Sequence, residues 1–246
     1  MSFVNELIRV ADLNPATKNL IDEKSAKALE TLSSHMLEVN KYLNLTAIRD
    51  EDGVILKHFV DSVAISPFIE NGASVVDIGC GGGFPTLPLA IIRSDVKILG
   101  VDSVTKKVNY VKETATSLGL LNVDTSNSRA EELGQSPLYR ESFDVACARA
   151  LGKLSLLCEL CLPLVKVGGS FIAMKSLTTN EEISEAEYAI ALLGGKLERV
   201  CEYSLTNGNE TLSRTMVVIK KVSPTPKQYP RNNSQISKKP LISQKF

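Results

Sequence analysis

Residues 75–85 read Val75-Val76-Asp77-Ile78-Gly79-Cys80-Gly81-Gly82-Gly83-Phe84-Pro85. An apolar, β-branched run passes into a turn dense in glycine, and a helical stretch follows the proline. Glycines remove Cβ atoms, so the backbone can approach a ligand closely at the carboxyl edge of a sheet. Four glycines in five positions exceed what a tight βα connection needs. A dinucleotide site requires a third glycine in G-x-G-x-x-G, where helix packs on strand and pyrophosphate meets the helix N-terminus. Counted from Gly79 that place holds Phe84, so the fingerprint fails. Asp77 would repel a pyrophosphate. It suits a cationic ligand, such as the ammonium and sulfonium of S-adenosylmethionine.

Outward from this turn, the chain after Gly72 alternates strands and helices. The strand candidates are Ser74–Ile78, Val96–Val101, Val123–Asn127, Phe143–Ala148 and Ser170–Lys175. Between them lie helical stretches at Leu87–Arg93 and Lys106–Leu118, an acidic connection near Glu131, and a helix at Lys153–Val165. Such alternation requires a parallel sheet covered on both faces. A helix at Glu181–Leu193 leads to strands Lys196–Leu205 and Thr215–Val222, joined only by the turn Thr206-Asn207-Gly208-Asn209. Without a crossover helix these two strands pair in opposite directions, or one inserts antiparallel elsewhere. That is the usual plan of S-adenosylmethionine-dependent methyltransferases. The expected fold is α/β, Rossmann-like class I, with a mostly parallel seven-stranded sheet, one antiparallel strand and a helical N-terminal extension.

The extension covers residues 1–70. Leu29, Leu32, Met36, Val39 and Leu43 recur at helical spacing with polar residues between them, which makes an amphipathic helix. Pro67 and Asn71-Gly72 punctuate its end, a cofactor-binding domain spans 71–222, and a basic, extended tail spans 223–246. The 28 Lys/Arg and 28 Asp/Glu balance overall, yet Thr211–Phe246 holds eight basic residues and no acidic one. The segment is either solvated chain or a patch for phosphate backbone.

Composition excludes several classes. With 43% hydrophobic and 23% charged residues the chain reads as globular. No apolar run reaches the ~20 residues of a membrane span, and the N-terminus has no secretory h-region. A cytoplasmic protein is expected. Cys158-x-x-Cys161 invites a zinc or redox reading, but it lies in the apolar, helical run LSLLCELCLPLV, without a second CxxC and with two histidines in the whole chain. No metal site is expected.

Three further positions at the carboxyl edge carry chemistry. Asp102, ending the second strand in Leu99-Gly100-Val101-Asp102-Ser103, can accept both ribose hydroxyls of a nucleoside; the alternative is an N-cap for the next helix. Ser128-Arg129-Ala130-Glu131-Glu132 follows the third strand, where backbone amides and a carboxylate can read an adenine edge, though Glu132 reads better as solvated. Arg149, ending the fourth strand, can hold a carboxylate or phosphate in two-point fashion, or pair with Asp77 or Glu131.

Taken together, the motifs resemble the bacterial small-subunit ribosomal RNA guanine-N7 methyltransferase family (RsmG/GidB). They include Asn44-Leu45-Thr46-Ala47-Ile48, His58-Phe59-Val60-Asp61-Ser62 and the glycine turn through Leu87-Pro88-Leu89. Val101-Asp102-Ser103 with Lys106-Lys107, Arg129-Ala130-Glu131, Phe143-Asp144 and Ala148-Arg149-Ala150 continue the series. Gly168-Gly169 with Lys175, then Tyr229-Pro230-Arg231 and Lys239-Pro240-Leu241, complete it. Thr86 stands where the family usually has Gly, and Asn232-Asn233 where it has Gly then Pro. The resemblance implies methylation of N7 of a guanine in the 530 loop of 16S rRNA, with S-adenosylmethionine as cofactor and 16S rRNA or the small ribosomal subunit as partner. It implies cofactor contacts at Gly79, Phe84, Ala130, Glu131 and Arg149, which join Asp77, Gly81, Gly83 and Asp102. His58, Lys175, Arg231 and Lys239 are the RNA-side candidates, and a monomer is expected.

The residue inventory agrees with that chemistry. Guanine N7 carries an in-plane lone pair and needs no proton removed, so positioning does most of the work. No general base is assigned. Asp77 or Asp61 can offset the positive charge of the product, and a His58–Asp61 pair can equally serve to fix a helix to the core. Three rivals remain: a small-molecule methyltransferase, a ribosome-binding relative without catalysis, and a dehydrogenase. The first has no need of the basic tail, the second would have lost the turn or Asp102, and the third fails at Phe84.

Overall fold

The computed structural model describes residues 1–176, 178 and 180–242. In chain order the elements are α1 (Phe3–Leu13), α2 (Glu23–Leu43), α3 (Glu51–Gly53), a π-helical segment (Val54–Val60), α4 (Asp61–Val63) and a 3-10 turn (Ser66–Phe68). Then come β1 (Ser74–Ile78), α5 (Thr86–Ile92), β2 (Lys97–Val101), α6 (Thr105–Ser117), β3 (Val123–Ser126), α7 (Ala130–Gln135) and β4 (Phe143–Arg149). The remainder is α8 (Leu154–Cys161), a 3-10 turn (Leu162–Leu164), β5 (Val165–Lys175), α9 (Asn180–Leu192), β6 (Gly195–Thr206), β7 (Thr211–Lys221) and α10 (Asn233–Lys238).

The strands form one seven-stranded sheet in the order β3-β2-β1-β4-β5-β7-β6. Pairings β2–β3, β1–β4 and β4–β5 are parallel, whereas β7 runs antiparallel to β5. The strand-order reversal and the inserted antiparallel strand are the Rossmann-like class I plan expected from the sequence. Both arrangements left open for the last strands are realised: β7 is the neighbour of β6 and also inserts antiparallel beside β5, with β6 at the edge.

The chain divides into two compact units. The first comprises Met1–Gly72, Cys80–Asn127 and Tyr203–Ser213. Its core gathers Leu7, Val10, Leu29, Leu32, Met36, Phe59, Leu87, Tyr110 and Val111. The stripe read on α2 is buried at Leu29, Leu32, Met36 and Val39. Asp22 caps that helix by accepting from Ser25 N–H at 2.8 Å, a bond that holds its carboxyl below the usual range. Asn14 pairs with Thr206 as one strand pairs with another: its Nδ2 donates to the Thr206 carbonyl (2.9 Å), and its Oδ1 accepts the Thr206 N–H (2.7 Å).

The second unit comprises Ala73–Gly79, Ser128–Glu202 and Arg214 onward. β5 begins five residues before the expected strand because of a bulge. Phe143 pairs with Val165, but the next matched pair is Val145 with Ser170. Gly168 (φ +92) and Gly169 absorb the extra residues, and a Cβ on Gly169 would lie 2.4 Å from the Asp144 carbonyl. The segment after Val222, read as extended, is tied down. Arg140 donates to the carbonyls of Gly134, Thr225, Pro226 and Tyr229 (2.7–3.2 Å), and Asn233–Lys238 is helical, capped by Asn232.

Candidate functional site

In the first unit, the glycine turn closes on itself and on the end of β2. Cys80 N–H donates to the Val101 carbonyl (3.0 Å), and the amides of Gly83 and Phe84 both donate to the Cys80 carbonyl (2.7 and 3.1 Å). Gly81 (φ +54) and Gly83 (φ +88) take left-handed conformations that L side chains rarely adopt. A Cβ on Gly83 would lie 2.5 Å from Leu87 Cδ1, so Gly83 provides the close packing of helix on turn that the dinucleotide fingerprint assigns one position later. Phe84 is thereby released from that duty and its ring is buried. Thr86, the departure from the family pattern, is accommodated by a glycine opposite: a Cβ on Gly100 of β2 would lie 3.3 Å from Thr86 Oγ1.

Asp102 is half-buried at the end of β2. Its Oδ2 accepts the Gly81 N–H (3.0 Å) and its Oδ1 accepts the Val104 N–H (2.8 Å). The N-cap of α6 is Val104 rather than Asp102, so the carboxylate ties the turn to the strand end instead of capping the helix. Each carboxylate oxygen keeps acceptor capacity for a further donor.

In the second unit, Asp77 is 1% exposed in β1, opposite Cys147 of β4. Gly79 (φ +75) lies beneath Leu151, whose Cδ1 would be 2.0 Å from a Cβ there. Ala130 opens α7 and is buried, with Glu131 beside it, 12% exposed and 3.8 Å from the Arg129 guanidinium. Glu132 is exposed and accepts the Arg129 N–H in a capping arrangement (3.4 Å). Arg149 is half-buried at the end of β4, followed by a turn with positive φ at Ala150 (+56) and Gly152 (+131).

The RNA-side candidates sit as follows. His58 is buried, its Nε2 2.7 Å from Thr46 Oγ1. Lys175 donates to the Gly152 carbonyl (2.9 Å) and to Glu182 Oε1 (2.6 Å), and that same oxygen accepts the Leu154 N–H (2.8 Å). The ammonium thus fastens the turn after Arg149 to α9. Arg231 embraces Glu159 through its backbone N–H, Nε and Nη2 (3.0, 2.8 and 2.7 Å). Lys239 is exposed at the end of α10. Among the other tail cations, Lys221 is fully buried between Glu141, Thr225 and the Leu162 carbonyl, and burial lowers its pKa. Lys220 is half-buried, Lys227 and Lys238 are exposed, and Lys245 lies outside the described residues.

Glu182→Ala should therefore loosen the Ala150–Gly152 turn. Losing hydrogen bonds to a charged group should cost about 1.5–3 kcal/mol of stability. Thermal melting checks this, and an unchanged melting temperature would show that the clamp contributes nothing.

Cys158 and Cys161 are fully buried in α8, and burial pushes both thiols well above their ordinary range, away from the thiolate a metal or redox role requires. Among the described residues no group of His, Cys, Asp and Glu is placed to hold a metal, and no helix is long and apolar enough to cross a membrane.

Sequence reading placed Thr46 in a family motif without its His58 partner, and it missed the roles of Glu159 and Glu182 and the π-helical segment. One signal for Glu159 was available: a carboxylate inside LSLLCELCLPLV requires a buried partner.

Comparison with known proteins is consistent along the chain. Residues 25–211 match the family model for rRNA small subunit methyltransferase G (GidB). The "Ribosomal RNA small subunit methyltransferase G" of Clostridium novyi is 40% identical over 235 residues, which are 94% of this chain and 96% of that protein. The protein of the same name from Lactobacillus acidophilus is 40% identical over 225 residues, 90% of this chain and 93% of that one. In three dimensions the chain is similar to the [4+2]-cyclase SpnF, with 17% identity, a TM-score of 0.50, and coverage of 67% of this chain and 82% of that one; this likeness concerns the fold. By the extent of the family match and of its relatives, the chain belongs to the rRNA small subunit methyltransferase G family.

Proposed function

We propose that this protein transfers the methyl group of S-adenosylmethionine to N7 of a guanine in the 530 loop of 16S rRNA. The observation that carries the reading is the left-handed glycine turn tied to Asp102, in a chain of this family. The residues fit the cofactor: an acidic acceptor ends β2 for ribose hydroxyls, and glycines keep Cβ atoms out of the turn. In this reading Asp102 holds the ribose, and Gly79, Gly81, Gly83 and Phe84 receive the methionyl and ribose portions. Ala130 and Glu131 read the adenine edge, Arg149 orients a carboxylate or phosphate, and Asp77 supplies negative charge within β1. Bound cofactor supplies an electrophilic methyl on a sulfonium. The protein holds the base in line with it, and no protein group needs to take a proton.

The helical extension (1–70) and the tail (223–246) then serve the RNA side of the cofactor-binding domain (71–222). Exposed Lys227, Lys238 and Lys239 are the tail's phosphate contacts, while His58, Lys175 and Arg231 act through the elements they fasten. The partner is the small subunit or its RNA, the protein acts as a monomer in the cytoplasm, and no metal takes part.

Labelled cofactor with unmodified small-subunit RNA or particles, followed by mapping of the modified nucleotide, tests the assignment; label at any other atom overturns it. Reversing Lys227, Lys238 and Lys239 to Glu is expected to spare cofactor affinity and flatten the salt dependence of RNA binding. The log–log slope should fall by about 0.7 for each phosphate of single-stranded RNA that is no longer neutralised. An unchanged slope would leave these residues as solvated surface.

A further inference from the structure

We infer that His58 is a positioning residue for the cofactor turn: its stack on Phe84, anchored by Thr46, holds Gly81–Phe84 in the shape that receives the cofactor. The inference rests on the proposed function in one respect, that this turn binds the cofactor. All residues concerned belong to the first unit.

The imidazole of His58 and the ring of Phe84 lie 4.3 Å apart and 6° from parallel. Phe84 is at once the stacked ring and the last residue of the turn, its amide bonded to the Cys80 carbonyl. Fixing the plane of that ring fixes one end of the turn. The ring of His58 is itself prevented from rotating by the 2.7 Å hydrogen bond between Nε2 and Thr46 Oγ1, whose direction follows the imidazole tautomer. Thr46 is immobilised in turn. Its N–H donates to Asn40 Oδ1 (3.0 Å), its carbonyl accepts from Asn40 Nδ2 (2.8 Å), and its hydroxyl oxygen accepts the Ile48 N–H (3.1 Å). Hydrogen bonds therefore run from α2 through the loop that follows it to His58, and the ring stack carries the connection on to the glycine turn.

Two features separate this from ordinary core packing. His58 is 7% exposed, and an apolar residue would fill the same space without the cost of burying a polar ring. The ring also projects from the π-helical segment Val54–Val60, an irregularity that shifts side chains out of α-helical register and that clusters at functional positions. The same loop limits the turn from another side, since a Cβ on Gly82 would lie 3.4 Å from Leu45 Cβ.

The test compares His58→Leu and His58→Phe with the wild type by calorimetry with S-adenosylhomocysteine, beside thermal melting and steady-state kinetics on small-subunit RNA. His58→Leu keeps apolar volume and removes the planar face, and should weaken nucleoside binding about five- to tenfold, the range an aromatic stack supports. His58→Phe restores a planar face and should recover most of that loss. Should His58→Leu fail to fold, Thr46→Val carries the test: it frees the ring while keeping the apolar contacts, and should weaken binding about threefold, as loss of one hydrogen bond does. A merely structural role would move the melting temperature and leave the affinity of the folded protein alone, which overturns the inference. Equal weakening by His58→Phe and His58→Leu overturns it as well. So does a raised KM for RNA with unchanged affinity for the nucleoside. Failure of the wild type to bind S-adenosylhomocysteine would instead remove the reading of the turn on which both proposals stand.

Discussion

Asp102→Ala is expected to weaken S-adenosylmethionine binding by about 100-fold, because one carboxylate has a proposed duty and an observed one. In the proposed site it accepts the ribose hydroxyls through charge-assisted hydrogen bonds, worth about 1.5–3 kcal/mol in total when removed. It also accepts the amides of Gly81 and Val104, at 3.0 and 2.8 Å, and so holds the left-handed turn against the end of β2. Alanine removes both effects, and the amides must then find water. Asp102→Asn separates them: its amide oxygen still accepts one N–H while the charge is gone, so a loss of about tenfold is expected, at the lower end of that range. Calorimetry on both variants measures the difference. Alanine affinity within threefold of the wild type would exclude Asp102 from the ribose site.

The second large effect is on stability. Arg231→Ala should cost about 3–5 kcal/mol, since removing one partner leaves a buried charge uncompensated. Glu159 is 1% exposed and accepts three hydrogen bonds from Arg231. Alanine keeps the backbone N–H, but the guanidinium that neutralises the carboxylate is lost. For a chain of this size that corresponds to a fall in Tm of roughly 10 °C. Replacing both partners by apolar residues, Arg231→Met with Glu159→Leu, should recover most of the loss, because a buried pair is costly to break and not costly to replace. If Arg231→Ala melts as the wild type does and flattens the salt slope of RNA binding instead, Arg231 belongs to the RNA and the pair is incidental.

Much of the fold is legible in the residues because it is local. β1 and the turn announce themselves by a β-branched run meeting four glycines, and Asp102 by its place at the end of the next strand. The stripe on α2 follows from spacing alone. The rest depends on partners far away in the chain. Val165 joins β5 only because the Gly168-Gly169 bulge lets the strand continue past what looks like a turn. Lys175 and Arg231 look like free cations for phosphate until Glu182 and Glu159 are found beside them. The π-helical register of Val54–Val60 leaves no compositional mark, so a stack of His58 on Phe84 could not be read from spacing.

The pairing of Asn14 with Thr206 has a consequence for how the chain can be made. Synthesis proceeds from the N-terminus, and domains tend to fold as units once their residues emerge. The first unit draws on three separated stretches, and its earliest helix waits 192 residues for the partner of Asn14. Strands β1, β4, β5 and most of β6 must therefore be synthesised before the first unit is complete. A nascent chain halted after Asn127 would hold α1 with Asn14 lacking both of its Thr206 partners, and a fragment cut there would lack the hairpin tip that α1 grips. The protein is thus poorly suited to being divided into an N-terminal and a C-terminal half. Permuted or split versions would have to keep residues 203–213 in company with residues 1–72.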